Sequence, residues 1–219
     1  MHRARLFARR ALAIVALAGA GLGPVGCSAD ALAAANPAKV DAGADADAGT
    51  SGGWGGGAGA ACPDGQILAI LAAEFAARVD IASSVRPGLE SPSALDLAQK
   101  ILTDDSVLQV QVQGEARETG IAVTPGGIDR GIAAEAQGSI EALAAEVAPA
   151  LDASYVDREV LAHARALGLI DRLLAPSVHD PRIADLIARV RDVVTQHAQA
   201  ASQAQSVLEG ACASLSAAD

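Results

Sequence analysis

The stretch that decides the fold is LDASYVDREVLAHARALGLIDRLL, Leu151 to Leu174. Val156, Val160, His163, Leu167, Ile170 and Leu174 recur at spacings of 4, 3, 4, 3 and 4. That is one apolar seam of an amphipathic helix, with a histidine in its middle. Asp152 stands where an N-cap would accept the first free backbone N–H groups, and Ser154 is also placed to help.

Outward from this helix, three more seams emerge. Helix one is expected from about Asp64 to Val85, with Ile67, Leu71, Glu74, Arg78, Ile81 and Val85 on one face and Pro87-Gly88 ending it. Helix two opens at Ser91-Pro92, a cap followed by a first-turn proline. It carries Ala94, Ala98, Ile101, Asp105, Leu108 and Val112 on its seam and stops by Gly120. Residues 121–128 (IAVTPGGI) read as a loop, and a shorter helix from about Asp129 to Val147 leads to Pro149. Helix three is the opening stretch. Helix four starts at Asp180-Pro181, with Ile183, Ile187, Val190, Val194, His197, Ala201, Ala204 and Leu208 in register. The expected fold is all-α, an up-down four-helix bundle over residues 62–213 with an extra short helix between helices two and three. Residues 214–219 are expected to form a flexible tail.

A weak internal repeat fits this layout. SPSALDLAQKI from Ser91 resembles DPRIADLIARV from Asp180, at an offset of 89 that also pairs Pro87 with Pro176 and Glu74 with His163. Duplication of a helical hairpin and chance similarity in an alanine-rich chain both remain open.

Composition narrows the class. Only 2% of the 219 residues are aromatic, and Phe75 and Tyr155 are the only rings after Trp54. Small aliphatic side chains suit closely packed helices. The first 26 residues hold four of the 16 basic residues and none of the 26 acidic ones. If that segment is removed, 12 basic face 26 acidic residues, a balance of −14. Such a surface repels phosphate backbones and anionic lipid, which argues against nucleic acid as a partner.

The first 26 residues read as a bacterial export signal: Arg3, Arg5, Arg9 and Arg10, then the apolar run ALAIVALAGAGL, then small residues. The run is too short for a good membrane span. Cleavage has competing readings. Val25-Gly26-Cys27 fits a lipoprotein box that would lipidate Cys27, with Pro24 where leucine is usual. Alternatively, cleavage follows Ala31-Leu32-Ala33, or the signal stays uncleaved as an anchor. Lipidation would tether the protein to a membrane without a spanning helix. The expected location is periplasmic or outer-membrane-anchored. Residues 28–61 are mostly Ala, Gly, Asp and Ser with little to bury, and read as a disordered linker. Its GGWGGGAG run has no preceding strand and no following GK[ST], so it is not a phosphate loop.

Cys62 and Cys212 remain in an oxidising compartment, one before helix one and the other after helix four. In an up-down-up-down bundle those ends share a pole, so a Cys62–Cys212 disulfide is expected.

Glu74 or Arg78, Asp105, His163 and His197 interrupt four aliphatic seams. Buried charges need partners, so these residues should meet. One reading is a structural polar layer of Arg78, Asp105, His163 and His197. The other is a metal site of His163, His197, Glu74 and Asp105, as in di-iron bundles. The second lacks the Glu-x-x-His pairs: Glu159 lies four residues before His163, and Val194 stands three before His197. The structural reading is preferred, with no cofactor and no catalytic residue assigned. No GxSxG elbow supports a hydrolase. His179 reads as a solvated turn residue, and Tyr155 as a packing residue that hydrogen-bonds through its hydroxyl.

DASYVDREVLAH, with Tyr155 and then His163, resembles the FDxxYxxxxxxxH segment of the bacterial family DUF4142. SPSALDLAQKILTDD resembles that family's helix-two segment, which runs into an Asp-His pair. RVRDVVTQHAQAA resembles its histidine-containing last helix. The resemblance spans about Gln66 to Val207 and implies an exported protein with a ferritin-like bundle. Asp104 matches the family's aspartate, but Asp105 replaces its histidine. Arg78 falls near its helix-one glutamate, with Asp80 at a second acidic position. A Glu–His pair thus becomes an Arg–Asp pair, which keeps an ion pair but removes ligands, since arginine does not bind metal. The resemblance implies no activity. The expectation is a non-enzymatic envelope module with an unknown envelope partner. A metal-binding ferritin-like protein and a binder of a small apolar ligand are the alternatives.

Overall fold

A computed structural model describes residues 62–216, with side chains through residue 211. The expected export signal, Cys27, the linker and the end of the tail lie outside the described residues.

Every regular element among the described residues is helical. The helices are α1 (Asp64–Val85), α2 (Pro92–Thr119), α3 (Gly127–Leu143), α4 (Ala150–Leu169) and α5 (Pro181–Ser216). A 3₁₀ turn, Arg86–Gly88, follows α1. α2 and α5 start at the expected prolines, and Gly120 ends α2 with φ 69°, a left-handed conformation glycine adopts without steric penalty. Asp180 caps α5 through Oδ1, which accepts the N–H groups of Arg182 (2.8 Å) and Ile183 (3.3 Å). α1 is pinned at Gly65, whose carbonyl accepts the Thr124 N–H at 2.9 Å. A Cβ at Gly65 would run into the Ala122 carbonyl oxygen.

Two expected caps work differently. Ser91 makes no capping bond, and its hydroxyl lies 2.9 Å from that of Ser93. Asp152 does not cap its own helix, because α4 begins earlier, at Ala150 after Pro149. Its buried carboxylate reaches the start of α2 instead, accepting the N–H groups of Glu90 (3.0 Å) and Ser91 (3.1 Å). At the other pole Asp64, in the first turn of α1, accepts the N–H groups of His179 (3.0 Å) and Asp180 (2.9 Å) before α5. Glu90 and Ser91 correspond to His179 and Asp180 at the repeat offset of 89. Each hairpin therefore holds the start of the other's second helix with an aspartate from its own first helix.

The connection between α2 and α4 overturns the expected topology. α3 is 17 residues long, about 25 Å, and traverses the bundle beside α1. The chain therefore alternates direction through five helices, not four. α4 runs antiparallel to α1, and α5 runs parallel to it, as the bonds between Asp64 and the start of α5 require. α2 packs on α1 and α5, and α4 packs on α5, while α1 and α4 touch only lightly. Cys62 is buried at the pole where α5 begins. Cys212 belongs to the last turns of α5. Cys62 is disulfide-bonded, to a cysteine whose side chain lies outside the described residues, and the expected Cys62–Cys212 pairing lies outside them too.

The core has two halves. One joins Ile67, Leu71 and Phe75 to Leu108, Ile132, Leu169, Ile187 and Val194. The other joins Ala82 and Val85 to Leu97, Ile101, Tyr155, Val156, Ala201 and Ala204. On each helix of the four-seam set, the polar seam residue falls between the halves.

α4 also departs from a straight seam. Tyr155, Glu159, His163, Ala166 and Leu169 are buried, while Val160 and Leu167 are only half-buried. A π turn at Ile170–Leu174 then inserts one residue into the helical phase and returns Leu174 to the core.

Candidate functional site

The layer between the two cores is built from all four seams. From α1, Arg78 donates through Nε to Asp105 Oδ2 on α2 and through Nη1 to Glu74 Oε2 one turn back, both at 2.9 Å. The guanidinium carbon lies 5.4 Å from the centre of the Phe75 ring. Glu74, Arg78 and Asp105 are 6%, 3% and 0% exposed. Burial works against the Arg78 charge, but Asp105 and Glu74 outweigh it and raise its pKa above the ordinary arginine value.

α4 contributes Tyr155, Glu159 and His163 at steps of four, on one face. His163 Nδ1 donates to the Glu159 backbone carbonyl at 2.7 Å and lies 3.4 Å from the Glu159 carboxylate. Burial, reinforced by the Arg78 charge, holds the imidazole well below its ordinary pKa. His163 is therefore neutral, with the Nε2 lone pair free. Burial also pushes the Glu159 carboxyl up to about 8, against the pull of Arg78 and with the help of Asp105 and Glu74. The Tyr155 hydroxyl is raised by burial as well.

α5 adds His197, whose Nε2 donates to Asp104 Oδ2 at 2.9 Å and whose Nδ1 lies 3.7 Å from Asp105 Oδ1. Burial alone would raise Asp104, but the bonds from His197 and Lys100 hold it below the usual carboxylate range. The His163 and His197 rings meet edge to face, 5.3 Å apart.

All the seam residues singled out in the sequence thus lie in one layer: Glu74, Arg78, Asp105, His163 and His197. Sequence reasoning missed Glu159 and Asp104 as members. Glu159 was visible as the residue one turn before His163. Asp104 is partly exposed and off the seam, so periodicity gives no signal for its reach to His197.

The layer does not fit a di-metal centre. The guanidinium occupies the oxygens of Asp105 and Glu74 that would face a cation, and it places a fixed positive charge there. Among the described residues no group of three or more His, Cys, Asp or Glu side chains is arranged to hold a metal ion. Several acceptors nonetheless lack partners. Glu74 Oε1, Asp105 Oδ1, Glu159 Oε2, His163 Nε2 and His197 Nδ1 are buried without a hydrogen-bond partner in the chain.

Fold and layer together define an all-α bundle whose aliphatic core is divided by a buried, arginine-centred ion network. The chain belongs to the family described as domain of unknown function DUF4142, whose model matches residues 58–204. No curated protein and no solved structure matches it.

Proposed function

We propose that this protein is an exported module of the bacterial cell envelope that works by contact rather than turnover. In this reading the bundle has the ferritin-like arrangement, and its central layer is structural. The carrying observation is the Arg78 guanidinium paired to both Asp105 and Glu74 at the centre of the layer. The export-type leader, the linker before Cys62 and the acidic balance support the envelope location. No helix among the described residues is long and apolar enough to cross a membrane, so anchoring would fall to the leader or to a lipid on Cys27.

Two measurements on the full chain test the reading. Cell fractionation with acyl-chain labelling should recover the protein in the envelope, and recovery in the cytoplasm with its leader intact would contradict export. Metal analysis of the exported protein, purified without chelator, should find no stoichiometric metal. A retained metal that is lost in the His163→Ala/His197→Ala variant would make the layer a metal site.

A further inference from the structure

α1, α3 and α4 do not close fully on one another, and the gap between them leads to the charged layer. It is a groove of about 280 Å³. Ala77 and Ile81 line one side, Ile132 and Ala136 another, and Ala162 a third. Glu74, Arg78 and Glu159 also line it, and all three are more than nine-tenths buried. They form its inner end. Arg158, Glu135 and Arg165 stand at the mouth, where Arg165 pairs with Glu135. The groove is thus an apolar slot with carboxylates at its base.

The chemistry at that base is negative in balance. Arg78 is already engaged by Glu74 and Asp105, one positive charge against two negative. Glu74 Oε1 and Glu159 Oε2 remain without a partner from the chain. A carboxylate ligand would meet like charge there, and an alcohol would bring a single donor. An ammonium group brings three donors and a positive charge.

We propose that the groove binds a small primary amine with an apolar body. The ammonium group sits against Glu159 and Glu74, and the hydrocarbon lies between Ile81, Ile132 and Ala136. Glu159, neutral in the free protein, gives up its proton as the cation arrives, so that binding releases a proton to solvent. This site goes beyond the envelope reading and does not depend on it.

The test uses the full chain with hexylammonium chloride as the probe, and hexanoate and 1-hexanol as controls, followed by calorimetry and by methyl NMR. Saturable binding of hexylammonium is expected, with shifts at Ile81, Ile132 and Ala136 and with hexanoate at least about tenfold weaker. Glu159→Gln, a neutral replacement for a neutral carboxyl, should keep the fold and weaken the amine about tenfold or more. Ala162→Phe, a half-buried position at the groove, should block it sterically. Hexanoate or hexanol binding as well as the amine would overturn the proposal. So would the absence of saturable amine binding at low-millimolar concentration, or binding that both variants leave unchanged.

Discussion

Arg78 and Asp105 meet at 2.9 Å across the α1–α2 interface, in the plane where one aliphatic core ends and the other begins. A core of Ala, Leu, Ile and Val offers many nearly equal packings if helices slide along one another. A single charged plane penalises every register except the one in which all partners meet. Buried ion pairs often add little net stability over apolar replacements of similar size, while breaking one is expensive. The layer therefore acts on register more than on total stability.

The layer predicts an unusual pH dependence. The folded protein keeps the Glu159 proton up to about pH 8, whereas the unfolded chain releases it near the ordinary glutamate value of 4.5. The native state binds more protons in that window, so this group's contribution to stability falls as pH rises from about 4.5 to 8. Glu159→Gln removes that loss. Urea unfolding should show variant and parent alike near pH 4.5, and the variant more stable by a few kcal/mol (order of magnitude) above pH 8. His163 works in the other direction. Its folded pKa is depressed, so stability is lost as pH falls below its unfolded value of about 6.5. A variant with no alkaline gain would contradict the buried neutral carboxyl.

The two aspartate clasps predict a contrast that sequence inspection would reverse. Ser91 looks like the cap of α2, yet Asp152 holds the start of that helix. Asp152→Ala should lower stability by about 1–2 kcal/mol, and Asp64→Ala by a similar amount. Ser91→Ala should change it by less than about 0.5 kcal/mol. Thermal unfolding of the three variants decides this, and a costly Ser91→Ala beside a neutral Asp152→Ala would contradict the clasp.

Glycines separate by surroundings. Gly138 lies within α3 with nothing near a would-be Cβ, so Gly138→Ala should stabilise by about 0.5–1 kcal/mol. Gly65→Ala should destabilise, because the Ala122 carbonyl blocks it and belongs to the backbone that pins the α2–α3 loop. Denaturation midpoints of the two variants should move in opposite directions.

Much of this architecture was legible in residue spacing. The Asp64–Val85 helix, the Pro92 and Pro181 starts and the seam residues of α1, α2 and α5 follow from apolar period, proline and glycine. Chain direction was not legible. Residues 127–143 carry few large apolar side chains and read as a minor insert, yet they span the bundle and reverse everything after them. On α4 the aliphatic residues Val160 and Leu167 drew the eye, but Tyr155, Glu159 and His163 take the buried face. Hydrophobic period cannot identify a face whose buried residues are polar.

The most direct test of the central claim is a double-mutant cycle on Arg78→Met and Asp105→Leu, measured by urea denaturation. Arg78→Met strands Asp105 and Glu74 and should cost about 3–5 kcal/mol, whereas Asp105→Leu leaves Arg78 paired with Glu74 and should cost less. The double variant still strands Glu74 but no longer Asp105, so it should lose less than the sum, with a coupling energy of about 1–2 kcal/mol. Additive losses, with coupling below about 0.5 kcal/mol, would show that the two residues do not act as a pair and would contradict the account of the layer.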